Sequence, residues 1–146
     1  MRIMVIVNGN EEATAKMEAS QKEKMYAAMG SYNEELVKAG VMLAAEGLLP
    51  TSKGKRVVFA GVGATRVVDG PFTETKEVIG GFWLWQVKNM DEALEWARRC
   101  PCDQSWESNL ELRVVGEMED FGSELTPELR ARKERLRGDI AQKREP

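Results

Sequence analysis

Proton transfer at neutral pH usually falls to histidine, and this 146-residue chain has none. The same absence removes the commonest metal ligand and every Ser-His or Cys-His nucleophile pair. Acid-base chemistry would therefore rest on carboxylates and lysine with pKa values shifted by their surroundings. Asp69, Glu46 and Lys76 are the candidates. Asp69 opens the run DGPFTETKE, residues 69–77. A Gly70-Pro71 corner would fix it at the end of a sheet, where neighbouring aromatics would desolvate the carboxylate and fit it for general acid or base work. Glu46 is the one carboxylate in VMLAAEGLL, residues 41–49. Buried in such a strand it needs a ligand or a cation, with Lys76 the first candidate and Arg66 the second. Each residue also has a plainer reading: Asp-Gly-Pro makes a turn, and Glu46 with Lys76 makes a structural ion pair.

A ligand would also need an apolar wall. Trp83 and Trp85, in GGFWLWQV from Gly80 to Val87, could line a pocket for an aromatic or lactone-sized molecule, or could serve the core or a subunit interface. Tyr26 offers a phenol beside a helix's apolar stripe. Thr73 to Glu77 forms a polar rim, through which Glu74 could face a ligand, or else a hydroxyl-rich turn. Gly80 and Gly81 suit a bulge as the chain enters the strand, or else the close backbone approach of a ligand. No cofactor is expected, because no glycine-rich phosphate loop with its Lys-Ser/Thr pair is present. Cys100 and Cys102 flank Pro101, with no second pair and no histidine to complete four metal ligands, and a redox role for the pair is set aside with the metal.

The elements that would hold these residues follow from hydrophobic periodicity. Arg2 to Val7, RIMVIV, is the apolar run of a strand covered on both faces, hence central in its sheet. A capping box at Ser20 and Glu23 precedes Met25, Met29, Tyr32 and Leu36, whose spacing predicts an amphipathic helix ending at Gly40. Val41 to Leu49 returns as a strand. RVVFAGVGATRVV, residues 56–68, predicts a hairpin around Gly61 and Gly63. Asn89 and Glu92 start a second helix with Met90, Ala93, Leu94 and Ala97 on its apolar face. Leu110, Leu112 and Val114 alternate with charged residues, which marks an edge strand.

Without the hairpin the order is βαββαβ, the α+β ferredoxin-like arrangement with both helices on one face of an antiparallel sheet. Phe82 and Leu84 then lie opposite Trp83 and Trp85, so large apolar groups occupy both faces. A homodimer packed through the open sheet face would cover the second set. Residues 1–118 form the α+β domain. Residues 119–146 form a polar C-terminal helical extension, starting at Thr126-Pro127 with a narrow stripe of Leu129, Leu136 and Ile140.

The 21 basic and 24 acidic residues give a net charge of -3, which offers no bulk attraction for nucleic acid or an anionic membrane. The basic residues of the tail are diluted by Glu134, Asp139 and Glu145 and read as a solvated or docked helix. The apolar start falls short of a signal peptide or a membrane span, and the cysteines make no secretory framework, so a cytoplasmic location is expected.

Taken together, AEGLLP (45–50), DGPFTETKE, GGFWLWQV and DEALEWARRCP (91–101) resemble the DGPF family of YCII-related proteins, over roughly Met1 to Met118. The resemblance implies a dimeric α+β barrel, into which the hairpin read from residues 56–68 would be inserted. YCII-related proteins resemble muconolactone-isomerase-like barrels, and a His-Asp pair has been proposed for their pocket. Without histidine that pair cannot be carried over here. The resemblance leaves two functional expectations. One is a small-molecule-binding protein with isomerase- or lyase-like carboxylate chemistry; the other is a non-catalytic sensing module, since the family is associated with extracytoplasmic-function sigma factors.

Overall fold

The computed structural model describes residues 1–72, 78–102 and 107–143. The chain divides into two units, Met1–Val114 and Val115–Pro146.

In the first unit, strand β1 (Arg2–Gly9) leads through a short helix α1 (Glu11–Ala15) into the long helix α2 (Ala19–Lys38) and strand β2 (Met42–Gly47). Strands β3 (Lys55–Phe59) and β4 (Thr65–Asp69) follow, then β5 (Val78–Gln86), helix α3 (Met90–Arg98) and β6 (Asn109–Val114). The four long-range strands form one antiparallel sheet in the order β2-β5-β1-β6. With β3 and β4 left out, this is the ferredoxin-like α+β order. The apolar β1 is central and the alternating β6 is an edge, as their burial patterns require.

Both helices cover the same face. Ile3 and Val5 of β1, Trp83 and Trp85 of β5, Tyr32 and Leu36 of α2 and Ala93 of α3 make one buried cluster. Tyr32 joins the two helices by donating its phenol to the Trp96 carbonyl at 2.8 Å. Its ring meets Trp83 edge-on, with centroids 6.0 Å apart.

The start of α2 differs from the sequence expectation. Its N-cap is Glu18, whose N–H donates to Gln21 Oε1 at 3.0 Å, and Ser20 already lies inside the helix. Gln21 competes with Glu23 for the third helical position and wins because the chain turns two residues earlier. The added helix α1 has its own signal in Asn10, whose side chain accepts from the Ala13 N–H at 3.0 Å.

Strands β3 and β4 pair with each other, Val57 opposite Val67, and Gly61 and Gly63 in the connecting turn both have positive φ. The hairpin's base is fastened from two sides. Glu11 accepts from the Thr51 N–H at 2.5 Å and from its hydroxyl at 2.8 Å, and the Gly70 N–H donates to the Gly54 carbonyl at 3.0 Å. Phe72 is half-buried, with the Arg56 guanidinium 3.9 Å above its ring.

The second unit holds a 3₁₀ turn at Met118–Asp120 and helix α4 (Pro127–Gln142), capped by the Thr126 side chain with Pro127 in the first turn. Arg130 organises the connection. Its guanidinium donates to the carbonyls of Met118 at 2.7 Å, Phe121 at 2.9 Å, Leu125 at 3.0 Å and Gly122 at 3.4 Å.

Candidate functional site

The site follows from which side chains the sheet and α2 bring together. In α2, Met25, Met29 and Asn33 recur every four residues and so stack along one face of the helix. In the sheet, Val7, Ala45 and Trp83 share the helix-covered face, because Val5 and Ala45 are both opposite Trp83, and Val7 is opposite Gly81. Between these two surfaces lies a cavity of ≈ 340 Å³.

Its wall is mostly apolar, from the side chains of Val7, Met25, Met29, Ala45 and Trp83, with polar groups from Tyr26 and Asn33. Glu46 and Phe82 pair with each other and alternate to the other face of the sheet, so they border the cavity only at the β2 edge. Trp83 is buried, and its indole N–H donates to Asn33 Oδ1 at 2.8 Å, which fixes both groups. The amide NH₂ of Asn33 is left to donate elsewhere. Tyr26 is 65% exposed and sits at the rim instead of within the core.

Backbone closeness shapes the same wall. A β-carbon on Gly81 would lie 2.8 Å from the Glu46 carbonyl oxygen, so only glycine lets β5 approach β2 there. The pairing of β1 with β5 shifts register between Val7 and Asn8, where Gly80 is the extra residue. The bulge that the glycines allowed is present, and the close approach at Gly81 is that of strand β2.

Of the residues singled out for chemistry, Glu46, Trp83 and Tyr26 come together around this cavity. Glu46 is not hidden in its strand. Strand β2 is an edge of the sheet and Glu46 is exposed, so the premise that burial would force a partner on it does not apply. Among the described residues it has no ion pair, with Arg66 or otherwise.

Asp69 lies elsewhere, at the end of β4. Its side chain is 75% exposed and ion-paired with Lys55 directly across the hairpin. The carboxylate is exposed rather than desolvated, Gly70 packs against the Thr51 carbonyl, and the following Phe72 lies against Arg56 and Gly54. The Asp-Gly-Pro-Phe corner, with its cis Gly70-Pro71 bond, thus holds the hairpin's base. Trp85 is fully buried beneath the cavity and does not line it. Lys76 and Glu74 lie outside the described residues.

Asn33 was not singled out from sequence. Its signal was a polar residue four positions beyond Met29, in register with the apolar stripe. Among the described residues no group of three or more His, Cys, Asp or Glu could hold a metal ion, and no helix is long and apolar enough to cross a membrane.

The sequence profile of the YCII-related domain matches residues 1–119, the sheet and both of its helices. The chain belongs to the YCII-related family. This YCII-related protein is also 32% identical over 98 residues to an uncharacterized protein of Rhizobium meliloti (strain 1021), an alignment covering 67% of this chain and 78% of that one. Within the YCII-related framework, the cavity between α2 and the sheet has an amide and a phenol as its polar side chains, with a carboxylate at its β2 edge.

Proposed function

We propose that the protein binds a small organic molecule in the cavity between α2 and the sheet, and that Glu46 selects for a ligand with a cationic or strongly donating end. The observation that carries this reading is the lining: among the described residues it has five apolar side chains, the polar groups of Tyr26 and Asn33, Glu46 at the edge and no basic residue, around ≈ 340 Å³. That volume falls in the range of small-molecule sites, and the few polar groups fix orientation. The ligand is a flat apolar body lying against Trp83, with its polar end toward Glu46 and Tyr26. Proton-transfer chemistry of isomerase or lyase type would need a partner for Glu46, for which Lys76 is the remaining candidate. Binding without turnover, as in a sensing module, needs no second group.

The experiment is a titration followed by the Trp83 indole N–H resonance, with benzylammonium and benzoate as matched probes. Benzylammonium is expected to shift that resonance, and benzoate to leave it in place. Glu46→Gln should weaken benzylammonium binding roughly tenfold, the value of losing one charge-assisted contact. Equal binding of both probes, or no change in Glu46→Gln, would discard the reading.

A homodimer through the uncovered face of the sheet is the second part of the proposal. Met4, Ile6, Phe82 and Leu84 form its apolar centre, by pairing of Ile6 with Phe82 and Met4 with Leu84. The Ile6 row ends in Glu111 and the Met4 row ends in Arg113, two exposed charges 3.8 Å apart within the chain. A two-fold axis running across the strands would set the acidic row of one copy over the basic row of the other, which supports a second copy of this chain as occupant. Size-exclusion chromatography with light scattering is expected to give twice the 16.4 kDa chain mass. Leu84→Asp should give the monomer mass with an unchanged circular dichroism spectrum. A wild-type monomer at micromolar concentration would end the dimer proposal.

A further inference from the structure

The thiols of Cys100 and Cys102 are closer than their sequence spacing implies. Their Sγ atoms lie 3.5 Å apart, in hydrogen-bond contact. The turn that brings them together is built into the backbone. The Cys100 N–H ends α3 by donating to the Ala97 carbonyl at 3.1 Å, and the Cys102 N–H donates back to the Cys100 carbonyl at 2.9 Å. Between them Pro101 fixes its own φ and restricts the residue before it, so few other conformations compete.

The two thiols are not equivalent. Cys100 packs at the margin of the buried cluster, whereas Cys102 is exposed. Cys102 also lines a second cavity of ≈ 330 Å³ with Pro101 and, from α2, Gln21, Lys24 and Met25. That cavity lies apart from the one assigned above, with only Met25 in common. We propose that Cys100 and Cys102 form a reversible dithiol-disulfide site that exchanges with low-molecular-weight disulfides, with Cys102 as the attacking thiol and Cys100 as the resolving one.

The electron balance is that of thiol-disulfide exchange. The Cys102 thiolate attacks one sulfur of R–S–S–R; a new S–S bond forms, the old one breaks, and RS⁻ leaves with the electron pair. Cys100 then gives up its proton and attacks Cys102 Sγ, which releases the second RS⁻. The released thiolates take up the protons lost by the two cysteines. The protein is oxidised by two electrons and the small disulfide is reduced to two thiols.

The electrostatics favour this order of attack. The hydrogen bond between the two sulfurs lowers the Cys102 thiol to about 7, while that same hydrogen bond and then burial push Cys100 up. Lys24 brings a cation to the Cys102 cavity from α2. From the core side the pair is neighboured by Tyr32, whose phenol is raised first by burial and then by Cys100, and by the charges of Arg99 and Glu35. Arg99 and Glu35 are ion-paired with each other, and among the described residues Lys24 is the cation that lines the Cys102 cavity.

The test treats the full chain with oxidised glutathione near pH 7, quenches with acid, alkylates with N-ethylmaleimide and reads the intact mass. The wild type is expected to lose two hydrogens, to accept no maleimide and to retain no glutathione; reductant should restore two maleimide sites. Cys100→Ala should stop at one glutathione adduct, because nothing resolves it. Cys102→Ser should form an adduct at least about tenfold more slowly, since its remaining thiol is the more buried of the two. The iodoacetamide rate at Cys102 should rise through a midpoint near about 7 in the wild type, and through a higher one in Cys100→Ala. A wild type that stops at the glutathione adduct, or equal adduct rates in the two variants, overturns the proposal. The wild-type mass decides it even if a variant fails to fold.

Discussion

Trp85→Ala is expected to remove about 3–5 kcal/mol of folding stability, the usual loss for a buried tryptophan truncated to alanine. Small domains have about 5–15 kcal/mol in total, so much of the population would unfold on mild heating. Trp85 is fully buried and lies opposite both Ile3 and Met42, so it joins the central strand to an edge strand. Its indole nitrogen, however, has no hydrogen-bond partner among the described residues. A buried donor without a partner is itself unfavourable by about 1–3 kcal/mol. Trp85→Phe removes that donor along with part of the packing, and should lose roughly half or less of what the alanine variant loses. Urea titrations of the three proteins read the difference. Equal losses for the phenylalanine and alanine variants would show that the orphan nitrogen is already satisfied by water.

Gly70→Ala should open the hairpin corner while the four-stranded sheet persists. A β-carbon at that position would lie 1.7 Å from the Thr51 carbonyl oxygen and 2.6 Å from its carbon. Thr51 cannot move away freely. Its N–H and hydroxyl are held by Glu11, and its carbonyl accepts from the Gly54 N–H at 2.9 Å. Overpacking of this kind is unfavourable by about 1–3 kcal/mol and more when backbone must shift. Strands β3 and β4 pair only with each other, so the damage should stay local. Hydrogen exchange should accelerate in the hairpin, including the Ala60 N–H that donates to the Ala64 carbonyl, and remain slow in β1 and β5. Unchanged protection of the hairpin would contradict the close approach.

These two expectations mark where sequence reading worked and where it ran short. Alternation along Phe82 to Val87 was enough to set Trp83 and Trp85 on the opposite face from Phe82 and Leu84, because strand geometry leaves only two sides, but not to say which face the helices cover; the buried cluster shows that it is the face of the tryptophans. The βαββαβ order followed from periodicity for the same reason. The burial of Glu46 was misjudged because an apolar run does not say whether its strand is central; β2 has a neighbour on one side only. Asp69 was assigned an aromatic setting from its neighbours in sequence, yet its partner is Lys55, fourteen residues earlier, brought across by the hairpin. Asn33 and Glu11 were missed because each acts on a residue far along the chain, Trp83 and Thr51. The proximity of the two thiols was likewise hidden, since a Cys-X-Cys spacing permits both converging and diverging side chains.

Arg130 carries a consequence for the C-terminal unit. Four carbonyls converge on its guanidinium, while Leu129, Leu136 and Ile140 of α4 remain exposed. A segment closed mainly by hydrogen bonds to one cation, with Met118 as the buried apolar side chain among its described residues, releases little surface when it opens. Its opening would therefore add little to the heat capacity of unfolding or to the denaturant slope, both of which scale with newly exposed area. Calorimetry would register the sheet's melting and pass over the loss of this loop.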